Sequence, residues 1–127
     1  MAKEKEKEIP KILLVEDDRH LRQVLEARLS SQGYSVVVAH DGKEGLSKVQ
    51  SEKPNLVVLD VGLPLLNGVE LCDLIKKSEK LKQIPVIMLT AGKTIGDWEK
   101  GLNAGADAYM NKPYNWDKLI STIKELI

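Results

Sequence analysis

Two kinds of apolar pattern alternate along the chain. Residues 12–15 (ILLV) form a short unbroken apolar run, after which Leu21, Val24, Leu25 and Leu29 recur at helical spacing until Gly33, a C-terminal stop signal. Residues 36–39 (VVVA) are β-branched and apolar, and Gly42 opens a weaker helix through Leu46 and Val49 that ends near Pro54. The alternation continues with a strand over 56–59, a helix over 69–77 and a strand over 86–89. A short helix over 97–103 follows, with Trp98 and Leu102 on one face, and then a strand over 108–110. After Pro113, Asn115 is placed to cap a last helix whose stripe is Trp116, Leu119, Ile120, Ile123 and Ile127.

Unbroken apolar strands are buried on both faces, and strands that alternate with single helices imply right-handed crossovers in a parallel sheet covered on both sides. The expected architecture is therefore α/β: a flavodoxin-like, doubly wound, five-stranded parallel sheet of order 2-1-3-4-5 with five helices, in three layers. In that order the winding direction reverses between the first and third strands, and ligands bind outside the carboxyl ends of the strands there. The apolar runs stop at Glu16-Asp17, Asp60, Thr90 and, after the fifth strand, Lys112. Three carboxylates, a hydroxyl and an ammonium are thus expected on one rim.

Two carboxylates ~4 Å apart repel by about 4 kcal/mol at an effective dielectric of 20, so such a cluster takes up protons or recruits a cation. All-oxygen ligation without cysteine or paired histidine favours a hard ion, and Mg²⁺ is commonly held by one or two carboxylates, waters and a phosphate oxygen. Lys112 supplies a fixed positive charge. The Thr90 hydroxyl and the backbone N–H groups of the glycine-containing turns after Asp60 and Thr90 suit phosphoryl oxygens.

At 127 residues one domain is expected. Nineteen basic and nineteen acidic residues balance and are scattered, so the chain lacks the positive field that direct nucleic-acid or anionic-lipid binding requires. Cys72 is the sole cysteine and sits among Val69, Leu71, Leu74 and Ile75, which reads as a buried spectator thiol in a reducing cytoplasm. No apolar run approaches the ~20 residues of a membrane span, and the alternating Lys and Glu of residues 3–8 do not make a signal core. Residues 1–9 read as a flexible charged leader and 10–127 as the folded domain.

With Glu16-Asp17, Asp60, Thr90 and Lys112-Pro113 at these strand ends, and Pro64 and Gly68 in the loop after Asp60, the sequence resembles the receiver domain of bacterial response regulators, the phosphoacceptors of two-component signalling. The resemblance runs from Lys11 to Ile127. It implies that Asp60 accepts a phosphoryl group from a phosphohistidine on a sensor histidine kinase or phosphotransfer protein. It also implies that Mg²⁺, with Mn²⁺ as substitute, is held by Asp17, Asp60 and the Gly62 carbonyl, with Glu16 acting through water. On the same resemblance, Lys112 is expected to pair with the phosphoryl group, and Thr90 and Tyr109 to form the switch that changes the face of the fourth helix, fifth strand and fifth helix to control a downstream protein. Such a domain catalyses its own phosphorylation and dephosphorylation without being a conventional turnover enzyme. No output domain follows Ile127, so the expectation is a receiver that stands alone or is cut from a longer regulator, with a phosphorylation-linked homodimer left open.

Other readings have specific weaknesses. Gly92-Lys93-Thr94 mimics the tail of a P-loop, but position 87 is Ile where that motif needs Gly. A phosphatase of the haloacid-dehalogenase type needs a second Asp where Gly62 stands, and a flavodoxin needs a phosphate-binding loop where Glu16-Asp17-Asp18 would repel phosphate. The remaining alternative is a protein-interaction module on the same fold that works without phosphorylation. His20 reads as a solvated residue at a helix start, and Asp18 as a helix cap rather than a ligand.

Overall fold

The computed structural model describes residues 8–90, 104–111 and 115–127. Five strands, β1 (Lys11–Val15), β2 (Ser35–Ala39), β3 (Leu56–Asp60), β4 (Val86–Thr90) and β5 (Ala108–Asn111), form one parallel sheet of order β2-β1-β3-β4-β5. Four helices are seen among the described residues: α1 (Arg19–Ser31), α2 (Gly42–Glu52), α3 (Gly68–Lys77) and α4 (Trp116–Leu126). The helix expected over 97–103, with Trp98, lies outside them.

Side chains of successive strand residues point to opposite faces, and this splits the core in two. Ile12 and Leu14 of β1, Leu56 and Val58 of β3, and Ile87 and Leu89 of β4 pack with Leu25 and Leu29 of α1 and Leu119, Ile120 and Ile123 of α4. Leu13, Val15, Val57, Leu59, Val86 and Met88 pack on the other face with Val49 of α2 and Leu71, Cys72 and Ile75 of α3. The result is three layers with β1, β3 and β4 at the centre, which is why those strands read as unbroken apolar runs.

Local chemistry sets the helix ends. Asp18, Asp41, Asn67 and Asn115 each cap a helix by accepting a backbone N–H three residues on, and Asn67 forms a reciprocal capping box with Glu70. Gly33, at φ +95°, takes the left-handed conformation that stops α1. At the amino end of the sheet, Lys76 Nζ donates to the Ile84 carbonyl at 2.7 Å and pairs with Asp107 at 2.9 Å, while Asp107 accepts the Val86 N–H at 2.8 Å. This ties α3 to the starts of β4 and β5 and leaves the carboxyl ends of the strands as the face where loops carry chemistry.

Candidate functional site

The sheet order places the reversal of winding between β1 and β3, and acidic residues terminate both strands. Val15 pairs with Leu59, so the next residue along each segment, Glu16 just past β1 and Asp60 at the end of β3, faces the same crevice. Oxygens from Glu16, Asp17 and Asp60 lie within 4.8 Å of one another. Glu16 is 1% exposed and Asp60 8%, while Asp17 is open to solvent.

Glu16 is tied at both ends. Its backbone N–H donates to the Ala39 carbonyl at 3.1 Å and its carbonyl accepts Arg22 Nη1 at 2.9 Å, while the Asp18 N–H donates to its Oε2 at 3.1 Å. Asp18 turns its own carboxylate to the Leu21 N–H at 3.0 Å, so it caps α1 and its N–H orients the buried acid beside it. Sequence reasoning missed Arg22. It lies six residues after Glu16, and only the fold reveals that its guanidinium reaches the strand-end carbonyl.

Asp60 is the last residue of β3, paired with Leu89, and its successor Val61 still donates to the Leu89 carbonyl at 2.9 Å. The acid is therefore anchored in the ladder. Two residues on, Gly62 is exposed, and among the described residues a Cβ there would meet only Asp60 Oδ2, at 3.7 Å. Thr90 ends β4, one residue beyond the partner of Asp60, and is 4% exposed. Tyr109 of β5 pairs with Met88 of β4 and is 7% exposed; since Thr90 pairs with Asn111, Thr90 and Tyr109 lie on one face of the sheet as diagonal neighbours. Lys112 lies outside the described residues.

The donor set fits a hard divalent cation: three carboxylates, two of them buried, converge without a nitrogen or sulfur ligand among the described residues. Cys72 contributes nothing here. It is fully buried under α3, its Sγ 3.5 Å from the Ala104 carbonyl, and burial pushes the thiol up to about 11. His40 pairs with Glu44 at 2.8 Å on the exposed start of α2.

Comparison with known proteins points the same way. The family model for the response regulator receiver domain matches residues 12–124. A probable transcriptional regulator, ycf27 of Cyanophora paradoxa, is 46% identical over 117 residues, covering 92% of this chain and 48% of that protein. The chain spans about half the length of the curated relatives it matches. Among solved structures, a response regulator from Chloroflexus aurantiacus superposes with a TM-score of 0.89 at 32% identity, covering 94% of this chain and 98% of that one. The receiver domain of the Pseudomonas aeruginosa sensor histidine kinase PA1611, solved with magnesium coordinated in its active site cleft, gives 0.86 at 32% identity over 94% of this chain and 98% of that one.

Proposed function

The chain belongs to the response regulator receiver domain family, and on that premise we propose that it is a phosphoacceptor switch in which Asp60 takes a phosphoryl group from a phosphohistidine. An Asp60 carboxylate oxygen forms the new O–P bond as the N–P bond of the donor breaks, and the imidazole leaves with the electron pair and takes up a proton. The reading rests chiefly on the convergence of Glu16, Asp17 and Asp60 at the switch point.

Asp17, Asp60 and the Gly62 carbonyl hold Mg²⁺, or Mn²⁺ in its place, and Glu16 acts through water; the magnesium of the PA1611 receiver domain supports the choice of metal. The bound ion supplies charge neutralisation at the transferring phosphoryl group. The chain's own part is positional. The ladder fixes Asp60, the Asp18 N–H fixes Glu16, and Lys112, the next residue in sequence after β5, would contribute a second positive charge. Thr90 then bonds the new phosphoryl oxygen and Tyr109 repacks beside it, which their shared face and adjacency favour. If the two forms differ by a few kcal/mol, bonds of similar total strength shift the population and alter the face around β5 and α4. Partners are a sensor histidine kinase or phosphotransfer protein and a downstream protein effector, with no direct nucleic-acid contact. Localisation is cytoplasmic; no described helix is long and apolar enough to cross a membrane.

Titration with beryllofluoride, a phosphoryl mimic, tests the reading. Saturable amide shifts at Thr90 and Tyr109 that require Mg²⁺ and vanish in Asp60→Asn are expected. Absence of binding would favour a module that recognises partners without phosphorylation.

A further inference from the structure

The loop over residues 61–67 leaves Asp60 and carries Gly62; Leu63 anchors its middle in the core and Val61 and Leu66 pack against that core, while Leu65 at its apex stays in solvent. Leu65 is 74% exposed and sits at φ +70°, a left-handed conformation that costs an ordinary side chain of order 1 kcal/mol. A strained and exposed apolar residue persists only where neighbours fix the backbone on either side.

Two glycines do so. At the end of the loop, the Gly68 N–H donates to the Val61 carbonyl at 2.8 Å, and a Cβ on Gly68 would lie 2.2 Å from the Asp60 carbonyl oxygen. At the apex the contact comes from a different element. Asp41 caps α2, so Gly42 is the first residue of that helix and its N–H has no partner inside the helix. That N–H donates to the Pro64 carbonyl at 3.2 Å, an oxygen that also accepts the Leu66 N–H at 2.8 Å. The approach is close: a Cβ on Gly42 would lie 1.7 Å from the Leu66 carbonyl oxygen and 2.7 Å from the Leu66 Cβ. Since real Cβ contacts stay beyond 3.0 Å, any side chain at position 42 must push the loop and the helix start apart by more than an ångström.

We infer that Gly42 is a positioning residue for the acceptor site: the start of α2 clamps the apex of the loop and thereby sets where the Gly62 carbonyl stands relative to Asp60. The inference rests on the proposed role of Gly62 as a metal ligand. It assigns α2, which supplies no ligand, a share in metal affinity, because groups that orient a ligand from behind commonly carry about 10–100-fold in affinity.

Gly45, one turn further along α2, provides the control. The nearest atoms a Cβ there would meet are side-chain ones, Leu71 Cδ2 at 3.0 Å and the Val15 methyls at 3.1 Å, so Gly45→Ala presses first on helix and strand side chains that can give way, not on the loop backbone. Mn²⁺ binding by the full chain, read from the electron paramagnetic resonance of free Mn²⁺, should weaken by about tenfold or more in Gly42→Ala and by no more than about twofold in Gly45→Ala. Equal weakening in both, or none in Gly42→Ala, overturns the inference. Failure of the parent protein to bind Mn²⁺ would instead overturn the metal site itself. A measurement on the parent protein keeps the test independent of how the variants fold. By linkage, Mg²⁺ should slow hydrogen exchange of the Gly42 N–H by about fivefold beyond any slowing at Val49 within the same helix. Equal slowing at the two sites contradicts the clamp.

Discussion

Replacing Asp60 with Asn should stabilise the metal-free protein even as it removes the acceptor. Oxygens of Glu16, Asp17 and Asp60 lie within 4.8 Å of one another, and two unit charges at that separation repel by about 3.5 kcal/mol at an effective dielectric of 20. The amide keeps the shape of the carboxylate and removes two of the three repulsions. Solvent screens the share of exposed Asp17 and the partners that Glu16 and Asp60 already have offset part of the rest, so a net gain of about 1–2 kcal/mol is expected. Urea unfolding in EDTA measures it directly: the midpoint should rise with an unchanged m-value. Mg²⁺ provides the second arm. At ten times its dissociation constant it should add about 1.4 kcal/mol to the parent protein and far less to the variant. A variant less stable than the parent in EDTA, or one that gains equally from Mg²⁺, would refute the reasoning, because carboxylates would then not be crowded at a shared ion site.

Three further outcomes follow from the structure. The His40 backbone N–H, bonded to Glu44 Oε1 at 2.7 Å, leads the contacts that hold the Glu44 carboxyl near 2 instead of 4.5, followed by His40 and Lys48 side chains. Because the folded state favours the ionised form, this stability is complete above pH 4.5 and is lost as pH falls toward 2. Glu44→Gln should therefore cost about 1 kcal/mol at neutral pH, after allowing for solvent screening, and nothing near pH 2 in pH-resolved urea titrations. Cys72, fully buried with its thiol raised to about 11, should resist a disulfide reagent at pH 8 and react only as fast as the protein unfolds. Asn115→Ala, which removes the cap bond from the Lys118 N–H at 3.1 Å, should lower stability by about 1 kcal/mol while leaving Mn²⁺ affinity unchanged.

Much of this architecture is legible from residue pattern because strands buried on both faces must be apolar throughout. The five runs at 12–15, 36–39, 56–59, 86–89 and 108–110 all lie inside observed strands, each of which extends by one residue. The extensions are polar, and hydrophobicity does not report them: Asp60 and Thr90 complete their ladders because backbone pairing continues past the last apolar side chain. The caps at Asp18 and Asn115 were equally readable, since a side-chain oxygen at a helix start has one local use. What pattern conceals is tertiary. Nothing in the spacing says that Glu16 is 1% exposed while Asp17 beside it is open, or that Arg22 reaches the Glu16 carbonyl. Gly42 reads from pattern as no more than the start of a weak helix, and only the carbonyl of Leu66 lying where a Cβ would stand reveals why glycine is needed there.

Phosphorylation by acetyl phosphate in the presence of Mg²⁺ tests the central claim most directly. Intact mass should increase by one phosphoryl group, the label should be lost with hydroxylamine as an acyl phosphate is, and peptide mapping after borohydride reduction should place it at Asp60. EDTA or Asp60→Asn should abolish it. A parent protein that stays unlabelled, or an Asp60→Asn variant that still carries a hydroxylamine-resistant label, would contradict the account.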